Sequence, residues 1–354
     1  MRPESETFLS DLLTSSRMKT ARSCLHEHHL RYELGYREAE NPDGFLDALG
    51  FGTIIHIGLE AWWKSCAAGE YGDAPLNAAL AAMRAVKHKD AFAQVRAEVM
   101  LSGYHFRWLE DAKHYEVLGV EVFFKTELVN PESGVSSRTW RLAGKLDVLL
   151  RDKRDNGVRI MEHKTSSEDI SLGSDYWKRL RMDGQVSTYF AGAASLGHRV
   201  AACIYDVLAK PTLKPFKATP VESRKYTNGR LYAKQHDKDE TPDEYRVRLL
   251  EAYVAAPHDF YQRGEVVRLE QEVNDAAADA WALGRILREN QLAGRHPRNP
   301  DVCLRFGRRC PFFAACSGEA SLDDPRFYTR TDNVHPELAL ASPGEQPAKE
   351  AGTA

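Results

Sequence analysis

The sequence reads Thr139-Trp-Arg-Leu-Ala-Gly-Lys-Leu-Asp-Val-Leu-Leu150 and, after a short polar connection, Val158-Arg-Ile-Met-Glu-His-Lys164. Two apolar runs joined by turn-forming residues predict a β-hairpin. Side chains alternate along a strand, so Glu162 and Lys164 share a face, and Asp147 can approach Glu162 across the hairpin. Two carboxylates hold a hard divalent cation through oxygen, and a lysine can act on the attacking water. Metal-assisted phosphodiester cleavage needs this combination of residues.

Two further motifs flank the hairpin. Gly52-Thr-Ile-Ile-His56 lies upstream and Gln185-Val-Ser-Thr-Tyr189 lies downstream. Taken in chain order with Gly144-Lys-Leu-Asp147 and Glu162-His-Lys164, they resemble the four motifs G-x-x-x-H, G-x-x-D, E-x-K and Q-x-x-x-Y of the RecB-type branch of the PD-(D/E)XK nucleases. One such motif is weak, whereas four in this order at plausible spacing are specific. The likeness runs from roughly residue 24 to residue 316.

The resemblance implies a role for each motif residue. The metal ligands would be Asp147, Glu162 and His56, and the histidine favours Mn²⁺ somewhat beside Mg²⁺. Lys164 would position or deprotonate the nucleophile or stabilise charge on the phosphate, and the sequence leaves these three roles open. Gln185 and Tyr189 would complete the catalytic set, which comprises Asp147, Glu162, Lys164, Gln185 and Tyr189.

The roles of three of these residues also have alternatives. Gln185 would orient either the attacking water or Lys164. Tyr189 would contact the DNA backbone or brace the site, and its alternative is ordinary core packing. A lone histidine such as His56 on an apolar helix is usually structural, but its place in the motif favours a functional role.

Four of the six cysteines form a second pattern. Cys24 is early, whereas Cys303, Cys310 and Cys316 lie close together near the end of the chain. This resembles the iron–sulfur staple of AddB-type and CRISPR-associated nucleases, which implies a [4Fe–4S] cluster ligated by all four thiolates. The usual late group is C-x2-C-x5-C, and the first gap here is six residues, so structural zinc stays open as an alternative, as do free thiols.

The order of predicted elements indicates a restriction-endonuclease-like α/β core, a mixed sheet flanked by helices. The core would carry helical additions at its N- and C-terminal ends, and the cysteine-ligated cluster would join these additions. The capping box Thr241-Pro-Asp-Glu244 begins one of these helices. Predicted helices cover 17–37, 51–68, 90–114, 175–196, 241–255 and 270–292, and predicted strands cover 117–128, 139–150, 158–163, 200–208 and 264–269.

We predict one nuclease domain over residues 1–335. Its core spans about 50–210, its helical addition about 240–293, and its cysteine region 303–316 together with Cys24. Residues 336–354 are rich in small and polar residues, which predicts a disordered tail.

Composition limits the class of protein. The 354 residues are 43% hydrophobic and 28% charged, as in soluble globular proteins. No apolar run approaches the roughly 18 residues of a membrane helix, and acidic residues near the start do not fit a signal peptide, so a cytoplasmic protein is expected. Cys66 and Cys203 lie in apolar surroundings and are predicted to be core residues.

The net charge of −3 argues against an all-basic surface, but local basic stripes suffice for nucleic acid. Residues 295–310 hold five arginines against one acid, and Lys178, Arg179 and Arg181 form a second basic group. The alternative for each group is an ordinary solvated face.

These observations predict a metal-dependent DNA nuclease, and the resemblance implies an exonuclease acting on DNA ends or single strands in recombination, repair or phage DNA processing. The sequence contains no G-x-x-x-x-G-K-[ST] motif, so a helicase or recombinase would be a separate partner. The alternatives are a CRISPR adaptation nuclease, an RNA-directed enzyme, and a non-catalytic DNA-binding or scaffold subunit of a repair complex. Against the last, every motif position carries the residue that chemistry requires.

Overall fold

The structure, a computed structural model, describes residues 11–39, 48–86, 90–305 and 307–338. Its strands are β1 Leu12–Leu13, β2 Tyr36–Glu38, β3 Tyr115–Val129, β4 Ser136–Asp152, β5 Val158–Ser166, β6 Val200–Ala209, β7 Tyr226–Thr227, β8 Arg230–Leu231, β9 Tyr261–Val266, β10 Leu304–Arg305, β11 Arg308–Arg309 and β12 Tyr328–Arg330. Its α-helices are α1 Ser15–Ser23, α2 Leu25–His28, α3 Ala48–Ala67, α4 Ala74–Ala85, α5 Ala91–Ala112, α6 Asp175–Arg181, α7 Gly184–Ser195, α8 Pro242–Ala255, α9 Pro257–Phe260, α10 Glu270–Ala293 and α11 Phe313–Ser317.

Strand β4 is the centre of a six-stranded mixed sheet. One edge of β4 pairs with antiparallel β3, and the other edge is shared by parallel β1 and antiparallel β5. The β1 pairing ends at Leu142 and the β5 pairing begins at Val148, so the intervening residues of β4 face a fork in the sheet. Beyond the fork, β5 pairs with parallel β6, and β6 pairs with antiparallel β9. The last residue within the fork is Asp147.

Helices cover both faces of this sheet. Trp62 and Trp63 of α3 and Tyr104 of α5 belong to one buried cluster, which includes Met161 of β5. Val186 of α7 belongs to the other cluster, which includes the neighbouring strand residue Ile160. Successive residues of β5 thus enter opposite cores, as the strand alternation requires.

The predicted mixed α/β architecture is confirmed, including the three consecutive strands and the helices predicted over 51–68 and 90–114. The capping box is also present, since the Thr241 hydroxyl accepts from the Glu244 backbone N–H and the Glu244 carboxylate accepts from the Thr241 backbone N–H. The strand predicted over 264–269 is observed three residues earlier, as β9.

Two long predicted helices are wrong, because each is interrupted. Cys24 has extended backbone angles and separates α1 from α2, and a π-helical turn, His29–Glu33, follows α2. The helix predicted over 175–196 breaks at Asp183, whose carboxylate accepts from the Gln185 backbone N–H at 2.9 Å and starts α7 afresh. Helix α4 was not predicted at all.

The boundary of the predicted tail at residue 336 is also wrong. Residues 336–338 form a 3₁₀ turn, and Glu337 accepts a hydrogen bond of 2.6 Å from Thr14. Residues 339–354 lie outside the described part of the chain. Across the described ranges, no helix is both long enough and apolar enough to cross a bilayer.

Candidate active site

The fork in the sheet opens into a cavity of about 1270 Å³. Five of the six predicted site residues line it, from three secondary-structure layers. The sixth residue, Lys164, forms hydrogen bonds with two of these five. The lining residues among the predicted set are His56 from α3, Asp147 from β4, Glu162 from β5, and Gln185 and Tyr189 from α7.

Lys164 is held by a chain of polar contacts. Its Nζ lies 2.6 Å from Glu162 Oε1 and 3.0 Å from Gln185 Oε1. The Gln185 amide nitrogen in turn donates to the Tyr189 hydroxyl at 2.5 Å, so the glutamine is oriented at both ends of its amide. Burial lowers the pKa of Lys164, but the adjacent Glu162 carboxylate outweighs it and raises that pKa well above its ordinary value. The ammonium group is therefore charged at neutral pH.

Glu162 lacks a full set of partners. It is buried, and its Oε2 has no hydrogen-bond partner, although Oε1 is bonded to Lys164. Burial, followed by the negative charge of Asp147, raises the pKa of Glu162 to about 7. A buried carboxylate oxygen with no partner beside a second carboxylate is costly without a cation. The pair therefore fits a divalent metal ion.

Asp147 is oriented by the strand beside it. Its Oδ2 accepts a hydrogen bond of 2.8 Å from the His163 backbone N–H and lies 3.8 Å from Nδ1 of His56. Burial lowers the pKa of His56 to about 4, so the ring is neutral and offers a nitrogen lone pair. The donor types, two carboxylates and one imidazole, suit Mg²⁺ or, with the nitrogen, Mn²⁺, although one ligand atom from each of the three residues does not lie within 4.8 Å of the other two.

Gly144 is explained by close packing behind the site. A Cβ atom there would lie 2.6 Å from the Phe124 ring and 3.5 Å from the Tyr189 ring. Tyr189 is buried and contacts Phe124 edge to face, with ring centroids 6.2 Å apart. Tyr189 thus packs in the core, and its hydroxyl also accepts the hydrogen bond from Gln185.

His163 points away from the cavity, as strand alternation predicts, into a buried ionic network. Its Nδ1 lies 3.3 Å from Asp206 on β6. Arg263 on β9 donates two bonds to the Asp206 carboxylate, at 3.0 and 3.1 Å, and the Tyr104 hydroxyl donates a third at 2.7 Å. The network braces, from behind, the strand segment that carries Glu162 and Lys164.

Replacing Arg263 by methionine should destabilise the protein by about 3–5 kcal/mol, because the buried Asp206 loses its main counter-charge. Burial raises the pKa of Asp206, but Arg263 and His163 hold it well below its usual range. A depressed carboxylate pKa adds stability that is complete above the unfolded value of about 3.9 and is lost in acid. The loss should therefore be constant from about pH 5 upward and shrink on acidification.

Urea unfolding measured across pH checks this prediction. Arg285→Met is the matched control, because Arg285 is an exposed residue paired with Glu289 on the surface of α10 and should change stability by less than about 1 kcal/mol. Equal effects of the two substitutions would contradict the role assigned to Arg263.

Four acidic residues that line the cavity were not predicted as site residues: Glu60, Glu121, Glu168 and Glu337. Glu60 is buried one turn after His56 and pairs with Lys64 at 2.9 Å. Glu121 lies on β3 with a positive φ of 55° and forms an ion pair with Lys145. Burial, then the charge of Asp147, raises the pKa of Glu121 to about 7.

The sequence patterns that could have identified Glu60 and Glu121 as cavity residues differ. Glu60 shares a helix face with His56, which was visible in the sequence. Glu121 stands in an alternating strand, where nothing indicates that its backbone turns the side chain into the cavity.

The four clustered cysteines also come together. Cys24, Cys303, Cys310 and Cys316 line one pocket of about 260 Å³, and the Cys310 N–H donates to the Cys303 carbonyl at 2.8 Å. Burial raises the pKa of the Cys310 thiol to about 12. Among the described residues, no three of these sulfur atoms lie within 4.8 Å of one another. In tetrahedral zinc sites the sulfur atoms are about 3.8 Å apart, given Zn–S bonds of about 2.3 Å.

The two basic groups differ in their surroundings. Arg308 lies in the exposed hairpin β10–β11, between two of the clustered cysteines, and lines the cavity. Lys178 and Arg179 instead pair with Asp175 and Glu168, at 2.8 and 2.7 Å. One member of the first group therefore lines the cavity, whereas these two members of the second are paired on the surface.

Three comparisons with known proteins differ in what they found. No curated protein matches the chain. A solved structure titled "Crystal structure of SSO0001" matches at 15% identity, covering 69% of this chain and 76% of that chain, with a TM-score of 0.28. The family model described as the PD-(D/E)XK nuclease superfamily matches residues 12–317. That range includes every residue of the cavity motifs, and the chain belongs to the PD-(D/E)XK nuclease superfamily.

Proposed function

We propose that this protein is a metal-dependent DNA nuclease of RecB type that hydrolyses phosphodiester bonds as an exonuclease, in recombination, repair or phage DNA processing. The observation that carries the proposal is the unpartnered buried oxygen of Glu162, beside Asp147 and the charged Lys164. The assignment to the RecB-type branch and the preference for exonuclease activity rest on the resemblance of the four sequence motifs.

The metal ion would be held by Asp147, Glu162 and His56. When bound, Mg²⁺ or Mn²⁺ supplies a Lewis acid that lowers the pKa of water and neutralises phosphate charge. The carboxylates provide the hard oxygen ligands, and the neutral ring of His56 supplies a nitrogen that favours Mn²⁺.

The contacts of Lys164 argue against one of its three possible roles, deprotonation of the nucleophile. A lysine with a raised pKa is a poor base, so the ammonium would stabilise charge on the phosphate or orient water as a donor. Gln185 holds this ammonium by its amide oxygen, and Tyr189 holds the other end of the amide. We therefore assign to Gln185 the role of orienting Lys164, and not only that of orienting the attacking water.

The rim of the cavity supports a nucleic-acid substrate. Arg308 lies at one part of the lining, and Lys19 of α1 lies at another, so cations flank the acidic centre. Lysine and arginine near phosphate supply most of the sequence-independent affinity for DNA. A net charge of −3 is compatible with this local arrangement.

A cleavage assay tests the function. Labelled single-stranded and duplex DNA, with free or blocked ends, should be degraded with Mn²⁺ or Mg²⁺ and left intact with EDTA. Blocking the ends should stop cleavage if the enzyme is an exonuclease. Binding without cleavage under every metal condition would instead support the non-catalytic scaffold, and cleavage of RNA alone would support the RNA-directed enzyme.

Replacing Glu162 by glutamine should abolish cleavage and weaken Mn²⁺ binding, because one anionic ligand is lost. Isothermal titration with Mn²⁺ measures the second effect independently of turnover. Glu132→Gln is the control, because Glu132 is an exposed turn residue outside the cavity. Unchanged Mn²⁺ affinity in Glu162→Gln would remove this residue from the metal site.

For the cysteine pocket we propose a [4Fe–4S] cluster held by Cys24, Cys303, Cys310 and Cys316. Thiolates are the ligands of such clusters. Among the described residues, the lack of any three of these sulfur atoms within 4.8 Å of one another supports a multi-iron cluster over a single tetrahedral zinc ion. Arg298 lines the pocket and offsets the negative charge of Glu27, which lies 3.9 Å from the Cys310 sulfur.

A further inference from the structure

Three side chains with metal-binding atoms meet outside both the nuclease cavity and the cysteine pocket. His29 and Glu33 lie on the π-helical turn, and His296 lies in the irregular segment after α10. One ligand atom from each lies within 4.8 Å of the others. None of the three lines the cavity or the cysteine pocket.

One carboxylate oxygen is the centre of this group. Glu33 Oε2 lies 2.6 Å from His29 Nδ1 and 3.8 Å from His296 Nε2. Ligand atoms of a tetrahedral zinc site are about 3.3 Å apart, given Zn–N and Zn–O bonds of about 2.0–2.1 Å. The two observed separations lie on either side of that value, and an ion would replace the hydrogen bond between His29 and Glu33.

The other oxygen of Glu33 is held by donors, which is the usual arrangement around a ligating carboxylate. The Gln291 amide donates to Oε1 at 3.1 Å. His28 Nδ1 lies 3.6 Å from the same oxygen. The Arg17 guanidinium donates to His28 Nε2 at 2.9 Å, so the proton of the neutral ring is on Nδ1.

The His28 side chain is fully buried, and its Nδ1 has no hydrogen-bond partner. A buried donor without an acceptor is unusual, and this one is aimed at Glu33. The π turn explains the convergence. Residue i+5 lies one turn beyond residue i, so His28 and His29 both come beside Glu33.

We propose that His29, Glu33 and His296 form a transition-metal site for Zn²⁺, with a water molecule as the fourth ligand. Two imidazoles and one carboxylate form a donor set of catalytic and structural zinc sites. The same set is poor for Mg²⁺ or Ca²⁺, which take mainly oxygen ligands.

Coordination requires one ring to tilt. The His29 and His296 rings are stacked, with centroids 3.7 Å apart and planes 11° apart. A ligating nitrogen directs its lone pair in the ring plane, so both planes must contain the ion. The His26 backbone N–H donates to the Pro297 carbonyl at 3.1 Å and keeps this turn beside α2 while the ring rotates.

Such a site would join the two ends of the domain. His29 and Glu33 belong to the N-terminal segment, whereas His296 follows the last long helix. Closing so long a loop removes unfolded-state entropy, and an ion that binds only the folded chain stabilises it. The site would act as a clamp beside the cysteine pocket but independent of it.

Zinc stoichiometry tests the proposal. Full-length protein, purified anaerobically so that the cysteine pocket keeps its own cofactor, is dialysed against excess Zn²⁺ and then buffer, and zinc is counted per chain. We expect the double variant His29→Ala/His296→Ala to retain one equivalent fewer than wild type. The control His114→Ala/His258→Ala removes two exposed histidines and should retain the wild-type number.

Two further measurements separate this site from others. Co²⁺ bound here should show d–d bands without the thiolate charge-transfer band that cysteine ligation adds. Glu33→Gln preserves the size of the side chain and should also lose one equivalent, which covers the case in which the double variant fails to fold. Equal zinc content in wild type and Glu33→Gln, or cobalt bands of thiolate type alone, would overturn the proposal.

Discussion

Replacing Lys164 by alanine is expected to abolish DNA cleavage, with a fall in kcat on the order of 10²–10³-fold or more. The ammonium is fixed by Glu162 and Gln185 and is charged at neutral pH, so its loss removes a preorganised positive group at the reacting phosphate. The fold should survive, because the Lys164 side chain is 26% exposed and is not part of a hydrophobic cluster. Single-turnover cleavage with saturating Mn²⁺ measures the effect.

Metal binding must be measured in the same variant. Without Lys164, the buried Glu162 loses its hydrogen-bonded positive partner but keeps the negative charge of Asp147 beside it, which favours its protonated form. A Mn²⁺ titration therefore shows whether activity is lost through the metal or through the lysine itself. DNA binding in EDTA should be largely retained.

Lys153→Ala is the matched control for the loss of a lysine. Lys153 is exposed in the connection between β4 and β5, its Nζ donates to the Lys113 carbonyl at 3.1 Å, and it does not line the cavity. It should cleave DNA at the wild-type rate. Turnover of Lys164→Ala within a few-fold of this control would remove Lys164 from the mechanism.

Replacing Cys310 by serine should remove the broad visible absorbance of the anaerobic protein and lower its unfolding temperature by about 10 °C. The cysteine pocket joins Cys24 to residues 303–316, and chain-entropy scaling gives roughly 5 kcal/mol for a cross-link over so long a loop. Calorimetry and absorbance spectroscopy measure the two effects. Residual activity per folded molecule should fall less, because the pocket is separate from the nuclease cavity.

Cys66→Ala is the control for this experiment. Cys66 is half-buried near the end of α3 and lies outside the cysteine pocket, so its removal should leave the absorbance unchanged. A colourless anaerobic wild-type protein with one zinc ion in this pocket would contradict the iron–sulfur proposal and favour structural zinc.

Much of the fold was predictable from local pattern. The hairpin of β4 and β5 has apolar runs and a turn signal, and helices α3 and α5 have apolar residues at helical spacing. The breaks at Cys24 and Asp183 were not predicted, because helical spacing continues across both. Asp183 is recognisable as a helix N-cap only when its carboxylate is seen to accept from Gln185.

The candidate site likewise has residues that the sequence predicted and residues that it did not. The spacing within β5 placed Glu162 and Lys164 on one face, and the motif order indicated that His56 and Gln185 would join them. The position of Glu121 depends on a left-handed backbone angle that L residues seldom adopt. No residue pattern in the strand predicts this backbone angle at Glu121.

The sequence by itself determined the strands, the main helices and the identity of the acidic and basic groups, because these depend on periodicity and side-chain chemistry along a short stretch. Only the tertiary structure decided that β1 and β5 part around Asp147, that Asp206 and Arg263 brace β5 from behind, and that His296 meets Glu33. The physical reason is that such contacts join residues far apart in the chain. Their formation depends on how whole elements pack, and not on any local propensity.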